Sequence, residues 1–184
     1  LKIVLLGSSG FLGSYLSKSL NPNYDIFKSN RHDFFFNDGE IDISPELKLK
    51  IRQSDICINC IADTNMKSCE DNLEENIANV KIPQVIAKNI TKKNYLIHFS
   101  SDIFYESTCN NSNENMKINC NNSYASQKKS AEEIFLSKNA VIIRTSFYGD
   151  NPRKIGLLNH VIKSIKENTR MEGWKNVYSS SVHI

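Results

Sequence analysis

The sequence predicts an α/β protein with a doubly wound, mainly parallel sheet, and three observations carry that prediction. Short apolar runs rich in branched residues alternate with stretches of helical spacing through residue 144, as expected of strands covered on both faces by crossover helices. The first run, Leu1-Lys2-Ile3-Val4-Leu5-Leu6, passes at once into Gly7-Ser8-Ser9-Gly10-Phe11-Leu12-Gly13 and then into a helix. At 184 residues, 40% hydrophobic and 23% charged, the chain has the length and composition of one globular unit with a sizeable core.

Taken in order, apolar residues at 11, 12, 15, 16 and 20 put a helix over Phe11–Leu20. In the loop before it, Gly7 can adopt backbone angles closed to other residues and Gly10 lets a phosphate approach the main chain. Gly13 lets the helix lie close on the strand, and the free N–H groups of the helix start attract a pyrophosphate. Asn21-Pro22-Asn23 reads as a turn, Tyr24–Lys28 as a second strand, and Ser29-Asn30-Arg31-His32 as the exit from the sheet. Residues Ile41–Glu46 form a short strand or turn; Ser44 is then an N-cap, with Pro45 opening a helix to Gln53. Asp55–Ala62 is an interior strand. A helix from Cys69 or Glu70 to Asn89 would carry Leu73, Ile77, Val80, Ile86 and Ile90 on one face, with a kink at Pro83. Tyr95–Ser100 is a strand, Cys109–Asn122 a long polar loop, Tyr124–Ser137 a helix and Ala140–Arg144 a strand. Ile155–Lys166 is helical and Val177–Ile184 extended.

Composition narrows the function classes. Net charge is +3, and the basic residues cluster only in pairs such as Lys92-Lys93 and Lys128-Lys129, so no nucleic-acid partner is expected. No apolar stretch has the length of a membrane span and no signal-peptide pattern opens the chain, so neither membrane association nor export is expected and the cytoplasm is the default. Five cysteines without regular spacing agree with a reducing compartment. Cys57-x-x-Cys60 lies on a strand, which points the two thiols to opposite faces, and no metal site is expected. His98 reads as a satisfied core histidine, and Trp174 carries no signal. The chain starts on a strand at Leu1 without methionine and stops in another at Ile184, which reads as a fragment.

The chemistry lies later in the chain. Tyr124-Ala125-Ser126-Gln127-Lys128 sets a phenol and an ammonium four residues apart on one helix face. A neighbouring cation favours the phenolate, which suits a general acid–base. Ser100-Ser101-Asp102 ends the preceding strand, and ligands of doubly wound sheets sit beyond such carboxyl ends.

With these residues in place the chain resembles the extended short-chain dehydrogenase/reductases. Gly7-x-x-Gly10-x-x-Gly13, Asn59-Cys60-Ile61-Ala62, Ser100-Ser101-Asp102-Ile103-Phe104-Tyr105, Tyr124-x-x-x-Lys128 and Arg144-Thr145-Ser146-Phe147-Tyr148-Gly149 follow in that family's order. The branch it looks most like is the dTDP-4-dehydrorhamnose reductase group, through Cys60–Asn65, Cys69-Glu70 and Asn79–Pro83. The resemblance implies a Rossmann-type domain over 1–149 and the beginning of a small substrate-binding region over 150–184, truncated here. It implies hydride transfer to a nucleotide-linked 4-keto sugar, with Tyr124 giving a proton to the keto oxygen. Lys128 would hold the nicotinamide ribose and lower the tyrosine's pKa, and Ser101 would hydrogen-bond the carbonyl. The cofactor would lie on Gly7, Ser9, Gly10, Phe11, Leu12, Gly13, Arg31, Asp42, Ile43, Cys60, Ile61, Ala62 and Lys128, with Asp42 and Ile43 flanking the adenine. Asp102 and Asp63 would stand on the substrate side. Arg31, with no acidic residue ending the second strand, favours NADP over NAD. The partners implied are the nucleotide sugar and a second copy of the chain in a homodimer.

Three positions depart from the family pattern: Asp63, where a small or apolar residue is usual, Ile103, where an aromatic often stands, and Lys67, often acidic. They bear on the substrate more than on the cofactor. Two other functions remain open at this point. One is a sugar-nucleotide epimerase or dehydratase, which uses the same serine, tyrosine and lysine. The other is a non-catalytic NADP-binding regulatory subunit, like that of methionine adenosyltransferase. As given, the chain is expected to bind cofactor better than it turns over substrate.

Overall fold

A computed structural model describes residues 1–20, 22–37, 40–74, 76–105, 112–151, 154, 156–173 and 181–184. Five strands form one parallel sheet: β1 (Lys2–Leu6), β2 (Asp25–Lys28), β5 (Ile56–Asn59), β6 (Tyr95–Phe99) and β7 (Ala140–Ile143), in the order β2-β1-β5-β6-β7. The register sets Ile3 beside both Ile26 and Ile56, and Ile58 beside Ile97. Alternation along β1 divides the core. Val4 and Leu6 pack with Leu47, Ile51, Ile86 and Phe135 on one face, whereas Ile3 and Leu5 pack with Leu16 and Leu20 on the other. Helix α1 (Phe11–Leu20) covers the second face; α2 (Pro45–Gln53), α4 (Ile82–Asn89) and α5 (Ser123–Phe135) cover the first. The architecture is the Rossmann-like, doubly wound one expected. Helix α2 starts as its sequence dictates, with Ser44 Oγ accepting from the Leu47 N–H at 3.1 Å and Pro45 in the first turn.

Two regions differ from expectation. Phe34–Asn37 (β3) pairs antiparallel with Glu40–Ile43 (β4) as a separate hairpin, outside the main sheet. The long helix expected up to Asn89 is divided: α3 covers Met66–Asp71, a π turn covers Ile77–Lys81, and α4 follows. Asn65 and Asn76 each cap a new start by accepting backbone N–H groups of Ser68 and Asn79, which is how asparagine competes with a continuing helix. Leu73 and Ile77 are accordingly half exposed rather than on one buried face. Pro83 falls in the first turn of α4, where its missing N–H costs little.

Helix α6 (Leu157–Glu167) follows, and β9 (Val182–His183) pairs in parallel with β8 (Phe147–Tyr148). Asn21, Cys109, Trp174 and Val177–Ser180, named above, lie outside the described residues. No helix among the described residues is long and apolar enough to cross a membrane.

Candidate active site

The chain runs from β1 outward to β2 and then returns to β5 on the other side of β1, so the crevice between the ends of β1 and β5 is the switch point at which such sheets take ligands. The loops after these strands touch there. Gly7 has φ +78°, and a Cβ on it would stand 3.0 Å from the Ile61 side chain and 3.1 Å from the Cys60 carbonyl carbon. The Gly10 N–H donates to the Gly7 carbonyl at 2.9 Å, closing the turn. Gly13 is the tightest of the three: a Cβ there would lie 2.1 Å from the Gly7 oxygen, so the start of α1 rests directly on the loop.

Two cavities meet over this loop, sharing Gly10, Cys60 and Ala62. One, of about 570 Å³, runs past Ser9 and Ile61 to Arg31 and the Phe34–Phe36 strand. The other, of about 490 Å³, runs past Phe11 and Leu12 to Ser101, Tyr124 and Lys128. Each holds a buried serine hydroxyl with no partner among the described residues: Ser29 in the first and Ser100 in the second. An unsatisfied buried hydroxyl in a cavity wall is a group awaiting a ligand or water.

Tyr124 and Ser101 line the same cavity. Burial pushes the phenol above its ordinary pKa, and the neighbouring Ser101 hydroxyl opposes this only in part. The expectation that Lys128 lowers the tyrosine is not met in this arrangement. Lys128, 2% exposed, turns its Nζ to the Phe99 carbonyl at 2.7 Å. Burial brings its pKa down to about 8, while the Glu132 carboxylate pulls weakly the other way. Glu132 is itself held by Arg144 in a two-pronged pair, with Nη2–Oε2 at 2.7 Å, which fastens α5 to the end of β7.

The ammonium of Lys128 sits in a costly place, and the sign of its pH dependence follows. The unfolded chain keeps this proton up to about 10.5, the folded chain only to about 8, so stability rises with pH between those values. Lys128→Met removes the buried charge. Its stability advantage over the parent is expected to be greatest below pH 8, at most about 3 kcal/mol, and to vanish near pH 10.5; thermal melts across pH read it directly.

Other expected positions are placed differently. Asp42 lines neither cavity; its Oδ2 pairs with Lys48 Nζ at 2.7 Å. Ile43 is wholly buried in the core, and Ile41 of the same strand lines the first cavity instead. Asp63 does not face the crevice. Burial raises its carboxyl, but hydrogen bonds from Ser68 Oγ (2.6 Å), the Asn65 N–H (2.9 Å) and Asn76 (3.2 Å) outweigh that and hold it below its ordinary value. Asp102 accepts from Ser146 Oγ at 2.9 Å, and Ser146 rather than Asp102 lines the second cavity. Cys57 and Cys60 do pack on opposite faces of the sheet; burial drives the Cys60 thiol up to about 12, which leaves it unreactive. His98 is only half satisfied: Asn59 Nδ2 donates to its Nδ1 at 3.1 Å, and Nε2 has no partner among the described residues.

The sequence reading missed the aromatic strand Phe34–Phe36 and gave no site role to Thr145–Gly149, which it quoted only as part of the resemblance. For the first, Asp38-Gly39 between apolar runs is a hairpin signal.

Comparison with known proteins agrees with this fold. Residues 1–173 match the family described as RmlD substrate binding domain. No curated protein matches the chain. Among solved structures, UDP-glucuronic acid 4-epimerase from Bacillus cereus, in complex with UDP-glucuronic acid and NAD, superposes with a TM-score of 0.76 at 19% identity, covering 92% of this chain and 64% of that one. A hypothetical dTDP-4-dehydrorhamnose reductase from Sulfolobus tokodaii gives 0.72 at 25% identity, covering 92% and 63%. The dTDP-4-dehydrorhamnose reductase from Bacillus anthracis in complex with NADP gives 0.70 at 22% identity, covering 90% and 60%. The chain thus spans 60% to 64% of the length of these structures. It belongs to the RmlD substrate binding domain family.

Proposed function

We propose that this chain carries the cofactor site and proton donor of an NADP-preferring reductase of a nucleotide-linked 4-keto sugar. The observation that carries the reading is the placement of Ser101, Tyr124 and Lys128 together in the wall of a cavity that continues over the glycine loop. A dinucleotide fits the residues present. The two cavities match its two halves, the Gly7–Gly13 turn and the start of α1 lie between them, and Ser29 and Ser100 each offer a free buried hydroxyl. Bound there, the nicotinamide supplies the hydride. Tyr124, kept a neutral phenol by burial, gives its proton to the keto oxygen. Ser101 hydrogen-bonds that oxygen and the phenol together, which orients the carbonyl. Lys128, on the same cavity wall, would bind a ribose hydroxyl, and its positive charge would balance the phenolate left behind until a proton from solvent restores the phenol. Asn151 and Gly156–Leu158 also line this cavity, which supports reading the chain from residue 150 on as the start of the substrate region.

Net consumption of NADPH with a nucleotide-linked 4-keto sugar tests the reading. Turnover without net consumption would sink it in favour of an epimerase, the second reading, which the same serine, tyrosine and lysine in one cavity would also serve. The cofactor preference rests on Arg31, exposed at the edge of the first cavity. Arg31→Ala is expected to weaken NADPH about tenfold and leave NADH unchanged; equal loss for both in fluorescence titrations would remove the role for a 2′-phosphate.

A further inference from the structure

Gln127 lies between Tyr124 and Lys128 on α5, is 1% exposed and lines neither cavity. Its amide is fully engaged. Nε2 donates towards the carbonyls of Cys69 (3.0 Å), Asn72 (3.1 Å) and Leu73 (3.1 Å), where α3 ends and carbonyls lack helical partners. Oε1 accepts from Asn79 Nδ2 at 3.0 Å. Asn79, also 1% exposed and presented by the π turn, grips the main chain of Asp63 from both sides. It accepts the Asp63 N–H at 3.0 Å and donates to the Asp63 carbonyl at 2.8 Å. The residues on either side of Asp63, Ala62 and Thr64, line the cavity that Tyr124 faces. A buried, hydrogen-bonded path therefore joins the two walls of the crevice.

We propose that Gln127 is a positioning residue for Tyr124: its amide clamps the catalytic helix to the end of α3 and, through Asn79, to the Ala62–Thr64 wall. The proposal rests on the reading of Tyr124 as the proton donor. A helix moves as a rigid body over one turn, so a tilt released at Gln127 is felt at the Tyr124 hydroxyl. Ser101 shares the cavity wall with that hydroxyl, and the charges of Cys69, Asp102 and Asp63 act on it through space. Two of them, Cys69 and Asp63, belong to the Gln127–Asn79 network. The clamp thus sets both the angle of the phenol and the polarity around it. It also gives the unusual Asp63 a purpose, since its carboxylate ties Asn76 and Ser68 into the same unit.

Gln127→Met keeps the length and removes all four hydrogen bonds. In the full chain, the ultraviolet tyrosinate titration of Tyr124 is isolated by subtracting the same protein carrying Tyr124→Phe. The expected result is a titration moved down towards the ordinary tyrosine value as water reaches the phenol. With it, kcat falls about tenfold or more at an unchanged KM for NADPH. A Tyr124 titration identical to the parent, with kcat within about twofold, overturns the proposal. Should the Met variant not fold, Gln127→Asn, which keeps the amide but draws it back by one methylene, is read by the same two outcomes. A parent chain that binds NADPH yet reduces no nucleotide-linked keto sugar overturns the reductase reading alone; the tyrosinate titration needs no substrate and still decides Gln127.

Discussion

Tyr124→Phe is expected to lower kcat by about a thousandfold while NADPH binding stays within about twofold. The substitution removes one oxygen and leaves the ring in place. Burial already keeps that oxygen protonated, so the parent enters each cycle with a proton to give, and the variant has none. Ser101 loses its phenolic neighbour, but its Oγ still accepts the Ile103 N–H at 3.2 Å, so the loop after β6 keeps its shape. Steady-state kinetics beside a cofactor-fluorescence titration separate the two effects. A kcat within tenfold of the parent would show that the proton comes from elsewhere. The alkaline limb of the parent's pH profile has a different owner: Lys128 loses its charge as pH rises through about 8, and activity is expected to decline over that range, well before Tyr124 ionises.

Gly13→Ala is expected to be the most damaging small substitution in the chain. The added methyl would lie 2.1 Å from the Gly7 oxygen, 2.8 Å from the Gly7 carbonyl carbon and 3.0 Å from the Ser8 Cα. All three are backbone atoms of a turn held by strand β1, so no side chain can swing aside. Helix α1 must lift from the loop, at a cost on the order of 2–4 kcal/mol, and the site for a pyrophosphate is lost with it. Gly10→Ala makes the contrast, because its methyl would meet only the Gly7 oxygen at 3.2 Å. Denaturant midpoints and NADPH titrations on both variants check the order; equal stability for the two would mean that the helix does not rest on the loop.

What the sequence revealed, and what it did not, divides along physical lines. Local rules sufficed where one element decides its own shape. Ser44-Pro45 starts α2, the apolar run of β1 alternates between two cores, and the glycine spacing requires a strand–turn–helix. The placement of Tyr124 and Ser101 in one cavity was legible because sheet topology brings strand ends to one edge. Side-chain aim was harder. Asp63 is one residue from a cavity wall, yet its carboxylate turns back to cap the chain at Asn65 and Ser68, a choice made by partners further along the chain. Asp42 and Ile43 were assigned by pattern, but pairing of β4 with β3 sends Asp42 to Lys48 and leaves Ile41 at the cavity. The hydrophobic spacing from Leu73 to Ile90 suggested one helix, and buried asparagines overruled it by offering the backbone better local bonds.

The contact between Gly7 and Ile61 has a bearing on how the protein holds together over time. These residues follow strands paired in parallel from Ile3–Ile56 to Leu6–Asn59, so the crevice does not exist in any state where β1 and β5 have parted. A ligand seated there binds the folded chain and not the unfolded one. At a hundredfold excess over its dissociation constant it adds about 2.7 kcal/mol of stability. If NADPH is that ligand, as proposed, it is expected to slow proteolysis of this chain and to raise its melting temperature in proportion to the logarithm of its concentration.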